Sequence, residues 1–213
     1  MTLSCIQQPH QHLDANLEHG VLTLAINRPK AKNALYGELY LWIAQALDEA
    51  DQHKDVRVVI LRGADADFSA GNDMQDFMKF IQTPLAGKAG DAPPFVVLKS
   101  AAKFSKPLIA AVRGVAIGIG VTLLLHADLV YSDHTALFQI PFVSLGLSPE
   151  GASSKLLIQQ AGYHKAAELL FTAQKFNSEK ALSAGLVNSI EEDVYAHALK
   201  QAQTLAALPL ASI

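Results

Sequence analysis

The sequence has almost no cysteine: Cys5 is the single one in 213 residues. One thiol excludes an internal disulfide framework and a zinc site built from several cysteines, and it points to a reducing, cytoplasmic setting. Charge is scarce as well, at 17% of residues. With 17 Lys and Arg against 20 Asp and Glu, the net charge of −3 provides no basic field for nucleic acid or an anionic membrane. The opening stretch, MTLSCIQQPHQHLDANLEHG, lacks both a basic start and an apolar run, so no signal peptide is visible. The longest apolar stretch, Leu108–Leu125, is interrupted by Arg113, Gly114, Gly118 and Gly120. It reads as a buried strand, a turn and a buried helix of a soluble protein, not as a membrane span.

What is present is apolar. Half the residues are hydrophobic, which excludes disorder, and a chain of this length fits one domain. Folded-surface scaling has such a domain bury roughly 70% of its unfolded surface. Val21–Ile26 and Val56–Arg62 read as strands, and Leu39, Ile43, Leu47 and Ala50 recur at helical spacing within a helix over 36–52. Helices are expected near 76–82 and 95–104, separated by a mobile surface loop, Thr83–Pro94, with three prolines and two glycines. Beyond it come a strand over 108–113, a helix over 118–126, and short strands at 129–132 and 137–139. Helices over 151–161 and 165–172, a helix capped by Ser178, a strand over 187–190 and a helix over 194–207 complete the reading. Strands alternating with helices indicate the α/β class. The sequence ends on the apolar run Ala206–Ile213, which implies packing against a partner or a longer native chain.

Two turns and one carboxylate could carry chemistry. Asp67–Met74 follows a strand and contains Ser69, Ala70, Gly71 and Asn72, small residues that admit a ligand close to the backbone. Gly114–Gly120 sits at a strand-to-helix turn, where its amides would face outward. Two such turns can present converging N–H donors to a developing oxyanion. Tight strand–helix packing that uses glycine is the other reading, and spacing alone favours it. Gly118-x-Gly120 lacks the third glycine of a dinucleotide fingerprint, and no G-x-S-x-G elbow is present. The third candidate, Glu150, lies between Pro149 and Gly151 ahead of an apolar helix. Most such glutamates simply favour the helix dipole, although an apolar neighbourhood would also raise the pKa toward that of a proton carrier. The eight histidines show no metal-ligand spacing, and Cys5, placed near a frayed terminus, has no base partner.

Four segments in register, Ile26–Leu35, Ile60–Phe77, Lys106–Leu129 and Ala136–Ser154, resemble the enoyl-CoA hydratase/isomerase (crotonase) superfamily. The resemblance implies a spiral of β-β-α turns with two nearly perpendicular sheets. It divides the chain into a core over 1–190 and the start of a helical C-terminal region over 191–213. It also implies trimers or pairs of trimers, an acyl-CoA thioester as partner, and no metal or separate cofactor. The family's oxyanion hole falls on the backbone N–H groups of Asn72 and Ile119. Its CoA-contacting loop falls on Lys30, Ala31 and Lys32, and the substrate-binding surface extends over Ser69, Ala70, Gly71, Asp73, Gly118, Phe142 and Leu145.

The departures from the family pattern are informative. Hydratases of the superfamily position a water with two glutamates, whose places here are taken by Thr122 and Phe142. Neither side chain can act as a base. In Ser148-Pro149-Glu150-Gly151 and Gly71-Asn72-Asp73, however, the chain is similar to the peroxisomal-type 3,2-trans-enoyl-CoA isomerases. That likeness implies one base, Glu150, shuttling a proton from carbon 2 to carbon 4 of a 3-enoyl thioester while Phe142, Leu145 and Leu147 keep the site dry. The alternatives are another acyl-CoA reaction of the fold (hydration, hydrolysis, decarboxylation) and a non-catalytic acyl-CoA-binding protein.

Overall fold

A computed structural model describes residues 3–82, 89–209 and 212 of the chain. It opens with a short helix, α1 (Ser4–Gln7), and a hairpin of β1 (Leu13–Glu18) and β2 (Val21–Ile26). The hairpin turns on His19 and Gly20, both at positive φ, the geometry that two-residue connections require. Helix α2 (Gly37–Gln52) then crosses over to β3 (Val58–Gly63), which pairs parallel with β2. After β3 come α3 (Met74–Gln82), α4 (Pro93–Lys103), β4 (Leu108–Val112), β5 (Val115–Ile117) and α5 (Ile119–Thr122). Strands β6 (Leu129–Ser132) and β7 (Leu137–Gln139) precede α6 (Ser153–Ala161) and α7 (Tyr163–Thr172). The chain closes with β8 (Phe176–Asn177), α8 (Ser178–Ser183), β9 (Ser189–Ile190) and α9 (Val194–Ala206).

These elements form a mixed α/β fold with two sheets. The larger has the order β1-β2-β3-β4-β6-β9, parallel apart from the β1–β2 hairpin. Its middle strands are covered on both faces, which explains uninterrupted apolar runs such as LIAAV in β4. One face packs on α2 and α4 through residues including Leu39, Ile43, Leu47, Val97 and Ala101. On the other, Val194, Ala198, Ala202 and Ala206 of α9 pack against Val21, Val58, Ile60, Ile109 and Ala111. The small sheet β5-β7-β8 stands apart, with the Phe138 and Phe176 rings stacked at 5.5 Å.

Most expected elements are in place, with several corrections. The apolar run after β4 is not a strand followed by one helix over 118–126. It contains a second strand, β5, then the four-residue α5 and a 3-10 turn, Leu124–His126. The cap of α8 is Asn177, whose side chain accepts from the Lys180 amide, and not Ser178. Strand β1 lacks an apolar run because its Asp14, Asn16 and Glu18 face outward in alternation with Leu13, Ala15 and Leu17. Cys5 does not fray: Ser4 donates from its amide and its Oγ to Glu49 Oε2, at 2.6 and 2.8 Å, tying α1 to α2 and burying the thiol. Burial, followed by the Glu49 charge, pushes that thiol up to about 11. Of the loop expected over 83–94, residues 83–88 lie outside the described residues, and Pro93 starts α4 as a first-turn proline. Among the described residues no helix is long and apolar enough to cross a membrane.

Candidate active site

Three backbone segments are laced side by side. Phe68 and Ser69 donate to Arg113 O and Val115 O at 2.8 and 2.9 Å, and Ile117 returns a bond to Ser69 O at 3.0 Å. The 69–73 segment is bonded on its other edge to residues 32–35. Ala70 donates to Lys32 O at 2.8 Å, Leu35 to Gly71 O at 2.7 Å, and Asp73 to Leu35 O at 2.7 Å. Inside, Ser69 Oγ donates to Asn33 O at 2.9 Å, and Asn33 Nδ2 donates to Asp67 O.

This lacing sets the direction of the Asn72 amide. In a parallel bridge the partner residue bonds the C=O before and the N–H after the residue opposite it. Leu35 therefore takes Gly71 O and Asp73 N, leaving the Asn72 N–H on the far edge. Gly71 makes the approach of the two turns possible. It has φ +85°, and a Cβ there would stand 2.5 Å from Ile117 O and 3.8 Å from the Ile119 amide nitrogen. Ile119 is the first residue of α5, with Gly118 (φ +57°, ψ −118°) before it, so its N–H has no partner within the helix. The two amides named from sequence are thus adjacent, and among the described residues neither makes a main-chain hydrogen bond.

Glu150 faces this region from the turn before α6. Gly151 and Ala152 both adopt positive φ, and Glu150 O accepts from the amide and hydroxyl of Ser153 at 3.0 and 2.6 Å. His126 Nε2 lies 3.0 Å from Gly151 O. A carbonyl only accepts, so Nε2 carries the proton, and burial keeps this imidazole below its usual pKa. The Glu150 carboxyl shares a cavity of about 100 Å³ with Leu35, Tyr40, Asn72, Phe77, Pro93 and Phe95. Burial there raises its pKa to about 7, against a 3.4 Å hydrogen bond from Thr122 Oγ1 that pulls the other way.

The cavity also touches Asp73 and Asp76, but both carboxylates are engaged. Asp73 pairs with Arg28 at 2.7 Å and accepts from the Gln75 and Asp76 amides at the start of α3. Burial opposes ionisation of Asp73, yet the Arg28 hydrogen bond and those amides hold its pKa below the usual carboxylate range. Asp76 Oδ2 accepts from the Gly37 amide at 2.8 Å, capping α2. Glu150 has no such ion pair or backbone donor among the described residues, only the 3.4 Å contact with Thr122 Oγ1.

The structure brings together Ser69, Ala70, Gly71, Asn72, Asp73, Gly118, Ile119 and Glu150. Lys30 and Ala31 lie in the 3-10 turn Pro29–Ala31, Lys32 follows it and joins the lacing through its carbonyl, and both lysines are exposed. Phe142 and Leu145 do not line the cavity. Phe142 is buried, and Leu145, expected to exclude water, is 51% exposed because the 3-10 turn Val143–Leu145 carries it outward. Two neighbours were missed. Tyr40 and His126 sit in apolar runs, where a buried polar tip needs a partner, and that requirement was the available signal.

The family profile of enoyl-CoA hydratase/isomerase matches residues 16–213. A crystal structure from Acinetobacter baumannii, assigned provisionally as an enoyl-CoA hydratase/isomerase, aligns with a TM-score of 0.94 at 77% identity. That alignment covers 95% of this chain and 82% of that one. Human enoyl-CoA delta isomerase 2 is 37% identical over 180 residues, 83% of this chain and 45% of that protein. The 2,3-dehydroadipyl-CoA hydratase of Escherichia coli K12 is 32% identical over 170 residues, 80% of this chain and 65% of that protein. The chain therefore spans less than half the length of the human relative and about two thirds of the bacterial one. Profile, fold and the paired turns agree: the chain belongs to the enoyl-CoA hydratase/isomerase family.

Proposed function

We propose that the protein isomerises 3-enoyl-CoA thioesters to trans-2-enoyl-CoA in fatty-acid oxidation, with Glu150 as the single acid–base. The observation that carries this reading is the half-buried Glu150 carboxyl, raised to about 7 in the cavity it shares with Asn72. The thioester oxygen accepts from the Asn72 and Ile119 amides, while Glu150 takes a proton from carbon 2. The electron pair left behind delocalises over the dienolate, the double bond moves from carbons 3 and 4 to carbons 2 and 3, and Glu150 returns the proton to carbon 4. Each oxyanion donor in comparable sites supplies roughly 10²–10³ in rate, and a positioned base on the order of 10²–10⁴. Thr122 and Phe142 offer no second carboxylate to activate water, which favours proton shuttling over hydration. Lys30 and Lys32, exposed beside Ala31, suit the phosphates of coenzyme A, which enters as part of the substrate. The exposed Tyr163 and Phe171 of α7 suit burial in a trimer, and a reducing cytoplasmic setting suits the free Cys5.

The test is a coupled assay on trans-3-hexenoyl-CoA beside crotonyl-CoA hydration, with wild type and Glu150→Gln. Isomerisation that falls at least 10²-fold in the variant, with little hydration in either, is the expected result. Hydration that survives the substitution would overturn the assignment of the base.

A further inference from the structure

The cavity holds one buried hydroxyl that the proposed chemistry does not use. Tyr40 lies on α2 and is 2% exposed, yet its OH donates to Asn72 Oδ1 at 2.5 Å. Helix α2 is fixed at this end by the Asp76 carboxylate on the Gly37 amide. Asn72 is therefore held at three points: Leu35 bonds the peptide groups on either side of it, and Tyr40 holds its side chain. Nothing comparable is needed to pack α2, since Leu39, Ile43 and Leu47 already bury its apolar face. A phenol in that core is tolerated because it finds an acceptor.

We infer that Tyr40 is a positioning residue, which aims the Asn72 backbone N–H at the thioester oxygen by clamping the Asn72 side chain. The inference rests on the proposal that this N–H stabilises an enolate. Without the phenol, Asn72 keeps its amide but gains rotamer freedom, and the donor loses alignment at the point where charge develops. Burial, followed by the Glu150 charge, pushes the phenol well above its ordinary pKa, so it remains a donor throughout the working range.

Two readouts test this on Tyr40→Phe, Asn72→Ala and the double variant, with folding checked by thermal melts. The first is isomerisation of trans-3-hexenoyl-CoA. The second is the near-ultraviolet absorbance of acetoacetyl-CoA, which reports enolate held by the oxyanion donors without any turnover. Tyr40→Phe is expected to lower kcat roughly tenfold to a hundredfold with KM within about twofold, and to reduce the enolate signal in parallel. Asn72→Ala should do the same, and the double variant should be no worse than the more impaired single one. Single-variant losses that multiply, or a Tyr40→Phe protein with wild-type enolate signal, overturn the inference. A wild type that forms the enolate but does not isomerise overturns the proposed reaction and leaves Tyr40 to be judged on absorbance. A wild type that leaves acetoacetyl-CoA un-ionised overturns both.

Discussion

On one side of the cavity, residues 32–35, 69–73 and 115–119 are locked by main-chain hydrogen bonds, with glycine at the crowded positions. On the other side, Glu150 rides a turn held by the Ser153 hydroxyl and amide and by His126, and among the described residues its carboxyl has a single weak donor, Thr122 Oγ1. The first side is made of peptide groups, which every residue but proline supplies, so its function depends on the shape held by the main-chain bonds and by the Tyr40–Asn72 contact. The second depends on which side chain occupies one position. On the proposed reaction, the backbone side polarises the thioester and the side-chain side moves the proton.

Breaking the backbone side should have the largest effect. Gly71→Ala places a Cβ 2.5 Å from Ile117 O at φ +85°, so both sterics and torsion oppose it. A loss of roughly 3–5 kcal/mol in denaturant stability is expected, with enolate formation abolished. Gly118→Ala separates the two causes: φ is +57°, but nothing lies within 4 Å of the added Cβ. Here torsional strain acts alone, costing roughly 1–3 kcal/mol, and the variant should keep a measurable enolate signal. Equal losses in the two variants would show that crowding at Gly71 does not matter.

The smallest expected effect is a shift in the pH profile. Glu150 must be ionised to accept a proton, and burial raises its pKa to about 7. The sign follows: kcat/KM should climb about tenfold per pH unit below that value and level off above it. Thr122→Val removes the hydrogen bond that favours the carboxylate, so its limb should move to higher pH with the plateau nearly intact. A limb that stays in place would mean that burial alone sets the Glu150 pKa.

Much of this was legible in the residues. The strands buried on both faces announced themselves as apolar runs, and α2 by its 3.6-residue period. The Ser148–Gly151 turn singled out Glu150 from the other acids. What escaped was decided by neighbours distant in sequence. Leu145 looks like a hydrophobic wall in one dimension, but the turn ending at Gly146 (φ +66°) points it to solvent. Cys5 looks frayed until Glu49, 45 residues away, holds Ser4. Asp73 and Asp76 look as available as Glu150, and only Arg28 and the α2 terminus, brought in by the fold, take them out of contention.

The sequence by itself determined the α/β class, the family and the chemical inventory: two small-residue turns, one carboxylate in an apolar stretch, and no second base at 122 or 142. These are properties of local patterning and residue identity, which survive without coordinates. The tertiary structure alone decided which amides remain without main-chain partners, which acids are already spent on caps and ion pairs, and that Tyr40 reaches Asn72 from another helix. Hydrogen-bond partnership and desolvation are set by groups that meet only when remote segments pack, and a one-dimensional pattern holds no record of them.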